Sequence, residues 1–310
     1  MDIDVAVRTM VPILILMGLG FLSRKLGILK LGDERVLNAY IYCFALPALF
    51  IIDLAEIRFT EQNLKFSLAG VLPIIAVLLV YILLYFVAGF SKNTLYLLIL
   101  STAFGSLAFF GIPFVVFAFP DGGEKLATLA VASISVVSVA ISIVVLELYR
   151  LEESTTWEKL THVAKRLTKN PLIISIFTGL LLSILGVELP FPISASLHMI
   201  GTTTAPVAIF MLGVFLYGRR YENITKAFLL SLPRMLLLPA LALLTTMLLG
   251  VQDLERATLV IMNGAPVAIS MIILSERYNF YKETIASLIL ISSLAAGVYL
   301  NLWLLLVGFS

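Results

Sequence analysis

The chain has 310 residues, of which 61% are apolar and only 13% charged, and its mean hydropathy is +1.08. A soluble domain of this length needs far more polar surface, so the composition predicts an all-α polytopic membrane protein. A single cysteine excludes a disulfide framework, and two histidines give no Cys/His metal cluster. The net charge of +2 gives no reason to expect a nucleic-acid partner, and the partner that the composition does indicate is the lipid bilayer.

Windows of about 20 apolar residues, long enough to cross a bilayer core of roughly 30 Å, recur along the whole chain. They are 5–22, 34–53, 66–88, 95–119, 124–149, 171–187, 192–217, 225–249, 255–275 and 282–308, which predicts ten spans. The first window follows two acidic residues and precedes the basic ones, so we interpret it as a span and not as a signal peptide.

Lysine and arginine are concentrated in alternate connections. Fifteen of the 21 basic residues follow spans 1, 3, 5, 7 or 9, and five lie on the opposite side. Because basic residues favour the cytoplasmic side, we expect both termini outside the cell (plasma or inner) membrane.

The connection 151–170 divides the chain into two sets of five spans, residues 1–150 and 171–310. Because five is odd, any relation between the two sets is an inverted repeat. Prolines in corresponding spans support it: Pro47 matches Pro206, Pro73 matches Pro233 or Pro239, and Pro113 matches Pro266. Within the connection, Thr155-Thr156-Trp157-Glu158 fits a capping box that would start a short helix on the inner membrane surface, with an unstructured linker as the alternative.

Spans 4 and 9 each contain a Gly-x-Pro sequence, Gly111-Ile112-Pro113 and Gly264-Ala265-Pro266. Proline removes a helical hydrogen bond and clashes with the preceding turn, so we expect each span to break into two half-helices. Paired breaks in corresponding spans are typical of the substrate sites of secondary transporters, whereas ordinary proline kinks are the alternative. Proline at the start of each new helix would leave backbone amides free to bind an anion, namely those of Phe114, Val115, Val267 and Ala268.

Three polar side chains complete the predicted site. Asn263 precedes the second break and could contact a substrate carboxylate or a sodium ion, or bond the freed carbonyls of its own helix. Ser106 precedes the first break. Arg234 is the one charge deep inside a span, and it could neutralise an anion, or pair with Glu147 or with helix carbonyls. The predicted substrate-binding residues are Ser106, Gly111, Pro113, Phe114, Asn263, Gly264, Pro266, Val267, Pro47, Pro206 and Arg234.

The sequence lacks the residues that several other functions would need. No span has Asp or Glu near its middle, which argues against a proton antiporter built on buried carboxylates. The sequence has no phosphate-binding loop, no His-Glu-x-x-His and no Asp-rich metal motif, so we expect neither ATP drive nor an enzyme.

Seven segments spread over most of the chain carry a resemblance to a known family: Leu46-Pro47-Ala48-Leu49-Phe50, Ala103-Phe104-Gly105, Phe110-Gly111-Ile112-Pro113, Lys169-Asn170-Pro171-Leu172-Ile173, Ala205-Pro206, Leu212-Gly213 and Gly264-Ala265-Pro266. In them the sequence resembles the auxin efflux carrier family of the bile/arsenite/riboflavin transporter-like superfamily. The sequence departs from the family where many members have Asn in place of Ser106, and Ala108 replaces a glycine. This departure makes it unsafe to transfer a substrate identity.

The resemblance implies ten helices in two inverted five-helix repeats, with broken helices 4 and 9 crossing at their breaks. It also implies that a bundle of spans 1, 2, 6 and 7 rocks against spans 3–5 and 8–10. We therefore expect a secondary transporter of small organic anions, such as auxin-like compounds or mono- and dicarboxylates, that works by alternating access and exports its substrate. Sodium-coupled symport and a non-transporting receptor or scaffold are the alternatives; a sodium ion as cofactor and a homodimer are left open.

Overall fold

The computed structural model describes residues 3–56, 60–150, 161, 164–165, 168–218 and 221–308, and every regular element among them is helical. The first half contains α1 (Ile3–Lys25), α2 (Glu34–Tyr40), α3 (Leu46–Ala55), α4 (Glu61–Ala88), α5 (Lys92–Ala103), α6 (Ile112–Ala118) and α7 (Gly123–Arg150). The second half contains α8 (Pro171–Leu185), α9 (Phe191–Gly201), α10 (Thr204–Leu216), α11 (Ile224–Leu232), α12 (Leu238–Leu248), α13 (Asp253–Gly264), α14 (Met271–Tyr278) and α15 (Lys282–Leu306). The capping box predicted at residues 155–158 lies outside the described residues.

Several of these helices are membrane spans. Six stretches of the described chain are long and apolar enough to cross a membrane: Glu34–Ala55, Glu61–Ala88, Gly123–Arg150, Phe191–Leu216, Ile224–Leu248 and Lys282–Leu306. The protein is therefore a multi-pass membrane protein. Helix α1 occupies the first predicted window and α8 the sixth, whereas the fourth and ninth windows each contain two separate helical pieces.

Three π-helical turns let prolines lie inside otherwise continuous helices. The turns are Ile41–Ala45, Leu107–Gly111 and Pro233–Leu237, and a proline is the second residue after each: Pro47, Pro113 and Pro239. In each case the residue just before the proline donates its N–H to the carbonyl five residues back. This wider turn changes the hydrogen-bond register at the residue that precedes the proline, so the helix continues past the missing proline N–H.

Side chains from other helices bond two of the carbonyls that the prolines leave without a partner. Pro73 cannot donate to Ala69, and the Thr245 hydroxyl donates to that oxygen at 2.9 Å. Pro239 cannot donate to Met235, whose oxygen accepts from the Trp303 indole N–H at 2.9 Å. Buried backbone groups need partners, so these bonds attach α4 to α12 and α15 to the turn ahead of α12.

The helices pack in two groups. In the scaffold group (α1–α3 and α8–α10), α1 packs along α10, and α3 packs on α8 and α9. A Cβ at Gly20 would lie 1.9 Å from the Phe210 carbonyl oxygen, so glycine is what lets α1 approach α10 this closely. The other group (α4–α7 and α11–α15) is called the crossing group, after the two interrupted helices that cross within it. Here α12 packs on α4 and α13, and α11 packs on α15. The stretch Leu107–Ala118 of the crossing group contacts α1 and α10 and so lies between the two groups.

Candidate functional site

Two helices of the crossing group are interrupted. Helix α5 ends at Ala103, and after Phe104–Ser106 the chain becomes helical again at Leu107. Helix α13 ends at Gly264, and Ala265–Ser270 separates it from α14. The prediction that Gly111-Ile112-Pro113 breaks span 4 is therefore wrong in position. Gly111 ends a π turn and Pro113 lies inside the helix that follows, because the wide turn accommodates the proline.

The two interruptions cross and bond to each other. Gly105 and Val267 form an antiparallel bridge. The Ser106 N–H donates to the Pro266 oxygen at 2.7 Å, and the Ala268 N–H donates to the Phe104 oxygen at 3.0 Å. Exchanging residues 104, 105 and 106 with 266, 267 and 268 in the same order converts one of these bonds into the other, so the contact has local two-fold symmetry.

The backbone amides predicted to be free to bind an anion are not free helix starts in the structure. The Ala268 N–H is used in the bridge, and the Val267 N–H donates to the Ser292 hydroxyl at 3.1 Å. Phe114 and Val115 lie past the first turn of the helical stretch that starts at Leu107, so their amides are not helix-start donors. The first amides of that stretch, at residues 107–109, have no preceding helical carbonyl to which they could donate, and they adjoin the crossing.

Arg234 lies at the crossing and is 1% exposed. Its Nε donates to the Ala265 oxygen and its Nη1 to the Thr102 oxygen, both at 2.5 Å. Its Nη2 is buried and has no hydrogen-bond partner among the described residues. A Cβ at Gly105 would lie 1.5 Å from Nη2, so only glycine leaves room for the guanidinium here. The crossing therefore holds a buried cation with one donor group that no described residue accepts from.

The partners of Arg234 are backbone carbonyls. The alternative pairing with Glu147 is wrong, because no ion pair joins the two residues, both of which lie in the described part of the chain. No ion pair joins Arg234 to a carboxylate in the part of the chain that the structure describes. Thr102 and Ala265 stand at the carboxyl-terminal ends of α5 and α13, where helix dipoles concentrate negative potential. This potential offsets part of the charge of the guanidinium.

Two uncharged side chains next to the crossing each have an atom that no described residue bonds. The Asn263 amide nitrogen donates to the oxygens of Gly70 at 3.2 Å and Leu259 at 3.1 Å, whereas its Oδ1 is buried and has no partner in the described part of the chain. Asn263 therefore bonds carbonyls, its own helix included, and keeps one acceptor free. Ser106 is 4% exposed, and its hydroxyl also has no partner among the described residues.

The remaining predicted residues divide between two places. A Cβ at Gly111 would lie 3.6 Å from the Ala265 Cβ, so Gly111 adjoins the crossing. Gly264 accepts the Tyr299 hydroxyl at 2.7 Å through its carbonyl oxygen. Pro47 and Pro206 instead belong to α3 and α10 of the scaffold group, so the structure does not place them with the polar groups of the crossing.

Sequence reasoning missed some residues that complete the site. Thr102 accepts from Arg234 and hydrogen-bonds the Tyr81 hydroxyl through its own side chain at 2.9 Å. These two residues border a small apolar cleft beside the crossing, lined also by Ile74, Val77, Leu78, Ile99, Ala103 and Leu238. A threonine and a tyrosine in apolar spans carry no local signal of this role. Within the described residues, no group of His, Cys, Asp and Glu side chains could hold a metal ion.

Comparison with known proteins identifies the family. Residues 5–304 match the family model described as membrane transport protein, which is the auxin efflux carrier family. The chain is 24% identical over 305 residues to the uncharacterized transporter YfdV of Escherichia coli K12, covering 95% of each chain. It is 24% identical over 299 residues to the uncharacterized transporter MJ1031 of Methanocaldococcus jannaschii, covering 94% of this chain and 95% of the relative. A Rhizobium meliloti protein described as a putative malonate transporter is 29% identical over 134 residues, 43% of this chain and 42% of that protein. Because the family match extends over nearly the whole sequence, the chain belongs to this family of membrane transport proteins and is a transporter, not an enzyme.

Proposed function

We propose that this transporter carries small organic anions across the cell membrane by alternating access, with the crossing of the two broken helices as its substrate site. The observation that carries the proposal is Arg234, a buried cation without a carboxylate partner among the described residues. Burying a charge is costly unless it is paired, and intramembrane ionisable residues are commonly functional. An anionic substrate would complete the neutralisation.

The unused polar groups at the crossing suit a carboxylate. Arg234 Nη2 is a charged donor and the Ser106 hydroxyl is a neutral one, and neither has a described partner. The amides that start the helix at Leu107 add partial positive charge on the same side. A carboxylate could accept from all three, while the free Oδ1 of Asn263 could accept from a hydroxyl or an acidic proton of the substrate. The name of the Rhizobium meliloti relative makes malonate the first substrate to test.

The proposed architecture is ten spans in two inverted five-helix repeats, residues 1–150 and 171–310, joined by the linker 151–170. The symmetric bridge supports this arrangement because it pairs Gly105 with Val267, 162 positions later. The prolines of spans 2 and 7 match at 159 positions, and those of spans 3 and 8 at 160 or 166, depending on whether Pro233 or Pro239 is taken. Similar offsets in all three pairs of spans are expected of an ancestral duplication followed by small insertions and deletions.

The proposed motion is a rocking of the scaffold group against the crossing group. It is supported by the packing, since the strongest helix contacts lie within each group. The stretch Leu107–Ala118, which follows the crossing directly, contacts the scaffold helices α1 and α10. Sliding at this surface would open the crossing to one side of the membrane and then to the other.

The proposed direction is export. The proposed orientation has both termini outside the cell, because most basic residues lie in the connections on the other side. An inside-negative potential favours anion export by about 2.3 kcal/mol per charge per 100 mV. Sodium-coupled uptake is the competing transport mode, and dependence of flux on external sodium separates the two.

The test is counterflow of labelled malonate in proteoliposomes that contain the purified protein. We expect saturable counterflow, reduced tenfold or more in Arg234→Gln, because losing one charge-assisted hydrogen bond costs about 1.5–3 kcal/mol. Arg256→Gln is the matched control, since Arg256 pairs with Asp253 at the start of α13, away from the crossing. Saturable binding without counterflow would instead identify a receptor. Full counterflow in a folded Arg234→Gln protein would contradict the proposed site.

A further inference from the structure

Two helix ends meet at the crossing, and both present carbonyl oxygens. The last carbonyls of a helix have no donor ahead of them in the helix and carry partial negative charge. Here these are the Thr102 oxygen near the end of α5 and the Ala265 oxygen just after α13. In transporters with broken helices, such carbonyls commonly coordinate the coupling cation.

In this protein a side chain already occupies both oxygens. The guanidinium of Arg234 donates to one through Nη1 and to the other through Nε. Its planar fork can join acceptors from two different helices, which an ammonium or a water molecule does less rigidly. Gly105 makes the space for it, since a Cβ there would lie 1.5 Å from Nη2.

A sodium ion at the same oxygens would have to displace the guanidinium or lie beside it. Arg234 is 1% exposed, so displacement would leave a charge buried with fewer partners. A second cation beside it would meet an unscreened like charge in a medium of low dielectric constant. Neither arrangement is favourable.

We propose that Arg234 is a tethered cation, fixed between the carboxyl-terminal ends of α5 and α13 at the place where a free monovalent cation would otherwise bind. The site therefore takes no sodium. If the proposed transport function holds, each anion crosses without a coupled sodium ion, and the charge that faces it belongs to the protein.

The experiment is thermal unfolding of the full-length protein in sodium, potassium and choline chloride at equal ionic strength. The parent is expected to unfold at the same temperature in all three salts. Arg234→Ala is expected to unfold at a lower temperature that rises with sodium or with millimolar guanidinium, because either cation can enter the vacated position. Arg256→Ala, which removes an arginine that donates to the Val251 carbonyl, is expected to match the parent in its indifference to the cation.

Specific stabilisation of the parent by sodium would overturn the proposal, and this measurement needs no variant. An Arg234→Ala protein that folds but responds to neither cation would overturn it as well, as would equal sodium stabilisation of Arg256→Ala. Where Arg234→Ala fails to fold, Arg234→Lys keeps a tethered charge and is expected to remain indifferent to sodium. Absence of malonate counterflow would contradict the proposed substrate and leave the salt comparison unaffected, so the two failures are distinguishable.

Discussion

Gly105→Ala tests whether the crossing is built around the guanidinium of Arg234. The added Cβ would lie 1.5 Å from Nη2 and 2.1 Å from Cζ, far inside van der Waals contact. The guanidinium cannot turn aside freely, because it is buried and holds hydrogen bonds to Thr102 and Ala265. Either these two bonds break or the bridge at Gly105 opens.

The size of the effect follows from the bonds at risk. Hydrogen bonds to charged groups contribute about 1.5–3 kcal/mol each, so losing both costs about 3–6 kcal/mol. This is a large part of a typical unfolding free energy of about 5–15 kcal/mol. The unfolding temperature should fall on the order of 10 °C, measured by thermal denaturation in detergent.

Two comparisons make the result specific. Gly18→Ala adds the same methyl group inside α1, where nothing lies within 4 Å, and should be neutral or stabilise by about 0.5–1 kcal/mol. The double variant Gly105→Ala/Arg234→Ala should be no less stable than Arg234→Ala alone, because the clash is gone. An unfolding temperature of Gly105→Ala equal to that of the parent would refute the geometry.

Two further substitutions test the packing around the crossing. Thr245→Val should lower the free energy of unfolding by about 1 kcal/mol, because it leaves the Ala69 oxygen unpaired. In a Pro73→Ala background the loss should be smaller, because the new backbone N–H of residue 73 can bond that oxygen. Equal losses in both backgrounds would show that the threonine does not compensate for the proline. Gly20→Ala should sharply reduce the yield of folded protein because its Cβ would lie 1.9 Å from the Phe210 carbonyl oxygen. A yield equal to that of Gly18→Ala would contradict the close approach of α1 and α10.

Apolar windows and proline positions predict the membrane character and the helical segments well, because the bilayer requires long apolar helices. The position of the first break was not predictable from the proline alone. Pro113 is tolerated by a π turn, a local register change that no residue type announces. The offset between the repeats predicts the break better. Pro73 and Pro233 are 160 positions apart, and the residue 160 positions before Pro266 is Ser106, which lies within the observed break.

The candidate site was predictable only as a set of polar residues. Arg234 is evident as a lone charge in a span, but its acceptors come from two other helices that the sequence does not bring together. Asn263 shows the same limit, because its amide serves the Gly70 carbonyl of α4. Free amides were predicted at Val267 and Ala268, but the Ala268 N–H bonds the other interruption and the Val267 N–H bonds Ser292 of α15. Contacts between distant segments decide which polar groups remain free.

Access to Ser106 from each side of the membrane tests alternating access through the crossing most directly. In a Cys43→Ser background, which removes the one cysteine, Ser106→Cys is treated with a membrane-impermeant, anionic methanethiosulfonate reagent from either side of sealed vesicles. We expect reaction from both sides, each slowed by malonate, because the crossing opens to one side at a time and the substrate competes with the reagent. Reaction from one side only, or rates unaffected by every carboxylate that the protein transports, would contradict the account.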